Sequence, residues 1–317
     1  MAHEGGTKAI VAALSANLGI GVTKFAAWAL TGSSSMLAEA IHSVADSGNQ
    51  VLLLVGGRQA RKEATPEHPF GYARNRYYYA FLVAVVLFLL GGLFALYEAW
   101  HKFQHPEPIE SWHWVPVVVL LTGIVLEGLS FRTAIRESNK VRGTATWPQF
   151  IRTSRSPELP VILLEDLGAL VGLVCALFGV SMTLVTGDGL WDAAGTAMIG
   201  VLLVIISIVL ARETTSLLLG ESATAENVAA IREAFAASDL GDIIHLRTMH
   251  LGPDDVLVAA KAGVVPGSTI EEIAQHVDEA ERRIRAAVPA ARLIFIEPDL
   301  RRASAAPTAT SPEEDTP

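Results

Sequence analysis

The 317-residue sequence is poor in cysteine and in charge, and both shortages narrow what the protein can be. Its single cysteine, Cys175, lies inside an apolar run, so neither a disulfide framework nor a thiolate metal site can be built. Charged residues make up 18% of the chain and hydrophobic residues 51%. An ordinary soluble domain carries more charge than this, so burial in a membrane is the simplest explanation.

The sequence patterns of several enzyme classes are missing as well. The chain has no HExxH, no histidine boxes of the desaturase type and no paired GxGD aspartates. A membrane-embedded metalloenzyme needs an open coordination position together with a base or nucleophile. We therefore expect no enzyme and no tightly bound cofactor. The N-terminal MAHEGGTKAIVAAL lacks an apolar segment followed by a cleavage site, so we expect the first helix to be retained.

Six apolar stretches are long enough to cross a hydrocarbon core, which takes about 20 helical residues. They cover residues 8–30, 36–57, 77–102, 114–135, 159–185 and 193–219. Lysine and arginine crowd the second and fourth connections, between residues 58 and 76 and between residues 132 and 155. Because such loops stay on the cytoplasmic side, this placement predicts a six-helix transmembrane bundle with both termini cytoplasmic. The expected location of this multi-pass protein is a bacterial cytoplasmic membrane.

Beyond Gly220 the hydrophobic pattern becomes that of a small soluble α/β domain. Two amphipathic helices and three short strands predict the order αββαβ, a ferredoxin-like or metallochaperone-like fold. Residues 221–299 hold fourteen acidic and seven basic residues, which argues against nucleic acid as a partner. We expect a transmembrane domain over 1–219, a cytoplasmic dimerisation domain over 220–300 and a disordered tail over 301–317.

Two clusters of polar residues fall inside the apolar stretches, where ionisable groups are costly and mark sites or water-filled paths. In the second stretch, EAIHSVADSGNQ spaces its polar residues at steps of three and four, which places them on one helix stripe: Glu39, His42, Asp46 and either Asn49 or Gln50. The fifth stretch carries Glu165 and Asp166, which point about 100° apart around a helix axis. Only one of these two carboxylates can face a given partner squarely.

An imidazole and several carboxylates that converge in a dry interior form a site for a divalent ion such as Zn²⁺, Mn²⁺, Fe²⁺ or Co²⁺. Histidine must be neutral and carboxylates ionised to bind metal, so metal and protons compete for the same groups. This competition is the physical requirement of a metal–proton exchanger. The alternative is that His42 and Asp46 only hydrogen-bond to each other and to neighbouring helices.

The chain resembles the cation diffusion facilitator family of metal cation transporters. The resemblance rests on AEAIHSVADSGNQ in the second stretch and HPFGYARNRYYYA before the third, and it covers about residues 8–299. The fifth and sixth stretches, with LLEDLGALVG and GDGLWDAAGTAMIGVLL, are most similar to the branch of the mitochondrial zinc transporter and its bacterial relatives. The resemblance implies a homodimer that exports a divalent cation, with zinc expected, in exchange for protons by alternating access.

The same resemblance implies a transport site made by two residues of the second helix and two of the fifth. His42, Asp46 and Asp166 match three of these positions, and the fourth falls on Ile162, which cannot bind metal. Either water completes the site, or Glu165 or Asn49 supplies the fourth ligand; Glu165 is our candidate.

A weaker second metal site is implied around His68 of HPFGY, where Tyr72 replaces a companion histidine.

Two alternatives to a transporter stay open. One is a membrane-embedded metalloenzyme, and the other is a metal-responsive membrane regulator in which the acidic domain senses metal and the helices only anchor it.

Overall fold

The computed structural model describes residues 2–106 and 112–300. Contacts divide the chain into two compact units. The first contains Met1–Gly220 with Leu251–Pro253, and the second contains Glu221–His250 with Asp254–Pro317. The tail predicted over 301–317 lies outside the described residues.

Helices make up the first unit. They are α1 (Ala2–Thr31), α2 (Ser34–Gln59), α3 (Asn75–Val86), a π-helical segment (Leu87–Leu93), α4 (Phe94–Gln104), α5 (Trp114–Val141), α6 (Trp147–Thr153), α7 (Glu158–Thr186) and α8 (Leu190–Leu219). The segments α3, π and α4 follow one another without a break and form a single helical rod. The short helix α6 was not predicted, and it begins with Pro148 in its first turn, where a missing N–H costs nothing.

Four of these helical segments are long and apolar enough to cross a membrane: Asn75–Gln104, Trp114–Val141, Glu158–Thr186 and Leu190–Leu219. Within the described parts of the chain, α1 and α2 are not among them. For α2 the reason is its polar stripe, which lowers its hydropathy although the helix is 26 residues long. The surface of the helical segments carries exposed apolar side chains such as Leu90, Val125 and Ile205.

The helix α2 is the centre of the first unit, since it packs against α1, α3, the π segment, α7 and α8. Its start is set by Ser33, whose hydroxyl accepts a hydrogen bond from the backbone N–H of Met36 at 3.3 Å. Glycines let α7 and α8 approach closely: a Cβ on Gly179 would lie 2.8 Å from the carbonyl oxygen of Trp191. This packing builds the apolar core around the polar face of α2.

The second unit has the order α9 (Ala225–Ala236), β1 (Ile243–Gly252), β2 (Asp255–Gly263), α10 (Ile270–Ala287) and β3 (Leu293–Asp299), which is the αββαβ order. Its sheet has the strand order β1-β2-β3, and β2 pairs in parallel with β3 from Leu257↔Leu293 to Gly263↔Asp299. One sheet face meets the helices in an apolar core that includes Ile231, Phe235, Val258 and Ile284. Thr269 and Glu272 form a capping box that starts α10.

Candidate functional site

One face of α2 carries imidazole, carboxyl and amide groups into the interior of the first unit. His42, Asp46 and Asn49 are 1%, 6% and 0% exposed. They stand at positions i, i+4 and i+7 of the helix, so their side chains lie one above the other. The apolar neighbours of α2 in α7, α8 and the π segment shield this stripe from solvent.

The polar atoms of this stripe are poorly satisfied. The Nε2 atom of His42 lies 3.5 Å from Oδ2 of Asp46, which is longer than an ordinary hydrogen bond. Within the described residues, neither ring nitrogen of His42 has a hydrogen-bond partner, and the same holds for Oδ1 of Asp46 and Oδ1 of Asn49. Buried polar atoms are normally hydrogen-bonded, so this row of unpartnered atoms is unusual for a protein interior and marks the stripe as a candidate site.

The two acidic residues of α7 are both buried, and they face different helices. The Oε1 atom of Glu165 accepts a hydrogen bond from Nδ2 of Asn49 on α2 at 2.5 Å. The Oδ2 atom of Asp166 accepts one from the hydroxyl of Ser130 on α5 at 3.0 Å. The divergence follows from the angle of about 100° between adjacent helix positions. Glu165, and not Asp166, is therefore the α7 carboxylate that is hydrogen-bonded to the α2 stripe.

The metal ligands suggested by the sequence are not gathered into one cluster. Among residues 2–106 and 112–300, no three histidine, cysteine, aspartate or glutamate side chains lie close enough together to hold a metal ion. Ile162, at the position of the expected fourth ligand, packs against the apolar core. Binding an ion by His42, Asp46 and Asp166 together therefore requires their side chains or helices to rearrange.

His68, the residue of the weaker second site, lies exposed in the connection between α2 and α3. Its ring packs against Tyr72, with ring centroids 4.6 Å apart, and its backbone N–H donates to the carbonyl oxygen of Thr65 at 3.0 Å. The described residues around it supply no group of metal ligands. In this structure His68 takes part in ring packing and in a turn, and its role in a second metal site stays a prediction.

A buried ion pair adjoins the polar stripe, and its two partners could not be paired from the sequence alone. The ammonium of Lys24 on α1 lies 2.8 Å from Oε2 of Glu39, and both side chains are fully buried. Glu127 on α5 is also buried, and it interacts electrostatically with this pair. The sequence shows these three residues as charges within apolar stretches. Such placement indicates that a charged side chain is unusual, but it does not show which residue it pairs with.

The π-helical segment was missed as well, and it lies against the site. A Cβ on Gly91 would be 3.8 Å from Nδ1 of His42, so the imidazole faces this segment closely. A Cβ on Gly92 would lie 2.7 Å from Cγ2 of Val204 on α8, which explains the need for glycine there. Such π-helical turns occur often at functional sites. The adjacent glycines were the only sequence signal of it.

Comparison with known proteins gives the class of this molecule. The family model described as the cation efflux transmembrane domain matches residues 10–219, which is most of the chain. The chain therefore belongs to the cation efflux, or cation diffusion facilitator, family of metal cation transporters. The expectation from the sequence motifs is confirmed, and the metalloenzyme alternative is wrong because the family consists of transporters.

Three relatives illustrate the likeness. The chain is 36% identical over 225 residues to a mouse protein named "Proton-coupled zinc antiporter SLC30A9, mitochondrial", covering 70% of this chain and 39% of the relative. It is 33% identical over 270 residues to the Xenopus laevis protein of the same name, covering 83% and 48%. It is 29% identical over 130 residues to the zinc transporter ZitB of Pectobacterium atrosepticum, covering 41% and 39%. The chain thus spans less than half the length of these relatives.

The expected location is corrected by the same comparison. The two animal relatives match at higher identity and over more of the chain than the bacterial one, and both are named mitochondrial. This finding contradicts a bacterial cytoplasmic membrane as the location. The error arose because loop charges report which side of a membrane a loop occupies, and not which membrane it is.

Proposed function

We propose that this chain exchanges divalent metal cations for protons across a membrane, with zinc as the transported ion. The observation that carries the proposal is the buried His42–Asp46 pair, whose imidazole nitrogens have no hydrogen-bond partner among the described residues. The chain's family membership and the names of its relatives support metal transport, protons as the coupled ion and zinc as the cargo. We further propose six membrane spans, with α1 and α2 added to the four apolar segments.

The proposed ligands are His42, Asp46 and Asp166, with Glu165 as the fourth. One imidazole and three carboxylates suit Zn²⁺, and they also suit Mn²⁺, Fe²⁺ and Co²⁺. Asn49 holds Glu165 beside the α2 stripe, so a small movement of α7 toward α2 would assemble the set. The same groups take up protons when the metal leaves, because a bound metal needs them deprotonated.

Alternating access requires two arrangements of α2 and α7, of which the structure contains one. The dispersed ligands fit an arrangement in which the metal has not yet been enclosed, and metal binding would draw the helices together. We propose that proton uptake by the same carboxylates reverses this closure and lets the ion leave. Exchange follows because metal and protons stabilise different charge states of one site.

Metal flux into proteoliposomes under an imposed pH gradient tests this function. The wild-type chain should move Zn²⁺ faster when the gradient favours proton exchange, and His42→Ala should lower the flux at least about 100-fold because an imidazole ligand is lost. The matched control is His105→Ala, since His105 is an exposed histidine at the end of α4. Wild-type flux equal to that of empty vesicles, or full flux in His42→Ala, would overturn the proposal.

We also propose that the chain acts as a homodimer joined through its second unit. The sheet face opposite the helices carries Phe295, which is 55% exposed, and its cross-strand partner Ala259. An exposed aromatic residue on an open sheet face favours a protein partner. Light scattering on the purified chain should give the mass of two copies for the wild type and of one copy for Phe295→Glu. A wild-type mass of one copy contradicts the dimer.

A further inference from the structure

The ammonium of Lys24 is a fully buried charged group of the first unit that is not one of the proposed ligands. It lies 2.8 Å from Oε2 of Glu39 and 2.9 Å from the hydroxyl of Ser43. All three side chains are nearly or fully buried. Removing a lysine and a glutamate from water is unfavourable, and an apolar pair would hold α1 against α2 equally well. The pair therefore indicates a functional role.

The ammonium of Lys24 lies close to the proposed metal ligands of α2. Glu39 and Ser43, which it contacts, are three residues before and one residue after His42, so the ammonium lies beside the polar stripe of α2. It interacts electrostatically with His42 and Asp46. A Cβ on Gly172 of α7 would lie 2.8 Å from Oε1 of Glu39, so the Glu39 side chain is confined between α2 and α7.

The charges buried around Lys24 and Glu39 determine how this pair affects metal binding. Five buried carboxyl groups of the first unit are linked to Lys24 or to one another by electrostatic interactions: Glu39, Asp46, Glu127, Glu165 and Asp166. Within the described part of this cluster, Lys24 supplies the one ammonium group. A fixed positive charge among carboxylates lowers the free energy of the metal-free state, and it repels an arriving divalent ion in a low-dielectric surrounding.

We propose that Lys24 is an internal counter-cation of the transport site, which offsets carboxylate charge in the metal-free protein and weakens metal binding so that the ion can be released. This inference rests on the proposed function. Lys24 is a positioning residue in this account, since it acts on the metal through its electric field and binds no metal itself. Glu39 holds the ammonium in place and sets the strength of that field.

Zinc binding to the purified full-length chain in detergent, measured by titration calorimetry, tests the proposal. Lys24→Met should lower the Kd by about 10-fold or more, because the repelling charge is gone. Glu39→Gln should raise the Kd by a similar factor, because the ammonium loses its counter-charge while the amide still accepts its hydrogen bond. The double variant Lys24→Met with Glu39→Gln should return to within about threefold of the wild type, because the two charges nearly cancel at the site.

The opposite changes in Kd expected for Lys24→Met and Glu39→Gln distinguish the counter-cation from two other roles of the pair. A purely structural tie between α1 and α2 predicts that both single variants change the Kd in the same direction or leave it unchanged. A role of Glu39 as a metal ligand predicts that the double variant binds as weakly as Glu39→Gln alone. Either result overturns the proposal. Lys24→Arg, which keeps the charge, should keep the wild-type Kd.

Controls come from an exposed pair of the same chemistry. Lys140 and Glu137 form an ion pair on the surface of α5, and Lys140→Met and Glu137→Gln should leave the Kd unchanged.

In proteoliposomes, Lys24→Met should lower both the KM for zinc and kcat, since tighter binding slows release. A merely destabilised protein would lose kcat without a lower KM.

The design also separates failure of the inference from failure of the proposed function. A wild-type chain that binds no zinc overturns both, whereas wild-type binding with same-sign variants overturns the inference alone. If Lys24→Met does not fold, Glu39→Gln and the double variant still decide. Weak zinc binding by Glu39→Gln together with near-wild-type binding by the double variant supports the role of Lys24 as a counter-cation. Equal binding by these two variants contradicts that role.

Discussion

The two units of the chain differ in where their charged side chains lie. In the first unit, ionisable side chains lie in the interior, and several of their atoms, such as Nδ1 of His42, have no partner among the described residues. In the second unit, the core is apolar and charges pair at the surface, as in Glu279 with Arg282 and Arg283. Hydrogen bonds from Arg282 and Arg283 lower the pKa of the Glu279 carboxyl, which is the usual effect of surface pairing.

This difference indicates what each unit contributes. Surface charges and an apolar core are sufficient to fold a small domain, so the second unit has the composition of a scaffold. Interior charges reduce stability, and a chain retains them where chemistry requires them. The first unit should therefore lose function when its buried polar residues are replaced, and the second unit should lose stability when its apolar core is replaced.

The largest effect is expected at the acidic pair of α7. Asp166→Asn should reduce zinc flux at least about 100-fold, and Glu165→Gln about tenfold, because each removes a charged ligand. The thermal unfolding midpoint of both variants should stay equal to the wild-type value or rise, since a buried charge is removed. Normal flux in Glu165→Gln together with an inactive Asp166→Asn would show that Glu165 is not the fourth ligand.

A loss of stability is expected from the core of the second unit. Ile284 is fully buried there, and Ile284→Ala should lower the free energy of unfolding of this unit by about 2–5 kcal/mol through the cavity it leaves. Hydrogen exchange of the full chain can measure this change for α10 and β2. Ile270→Ala on the same helix is the control, because Ile270 is 82% exposed. Equal effects of the two substitutions would contradict the assigned core.

The smallest effect is expected at the surface pairs of α10. Arg285 bonds Glu281 at 2.8 Å across one helical turn, and both side chains are partly exposed. Arg285→Ala should lower the unfolding free energy by no more than about 0.5 kcal/mol, because solvent screens such pairs. Zinc flux should not change. A large loss of flux would show that the second unit takes part in transport through its charges.

The sequence predicted the long helices of the first unit to within about two residues at many of their ends, because most of them are continuous apolar runs bounded by turn or charged residues. It also predicted the two helices and three strands of the second unit, since periods of 3.6 and 2 are local signals. The helix α6 and the π segment were missed. Both are short, and neither changes the hydrophobic pattern.

The candidate site was predicted less completely than the fold. His42, Asp46, Glu165 and Asp166 were identified because charged residues are rare in apolar runs, and all four are buried. Their partners could not be predicted, since Asn49 with Glu165 and Ser130 with Asp166 are separated by 116 and 36 positions in the chain. Lys24 and Glu39 were visible as charges, but their pairing depends on how α1 packs against α2.

The exchange of metal for protons is the central claim, and lumenal pH tests it most directly. Zn²⁺ is added outside proteoliposomes that contain a pH-sensitive dye, with no gradient imposed. Inward zinc movement should raise the lumenal pH as protons leave, and Asp46→Asn should abolish both signals while the exposed control Asp188→Asn keeps them. Zinc entry without any change in lumenal pH would contradict the account.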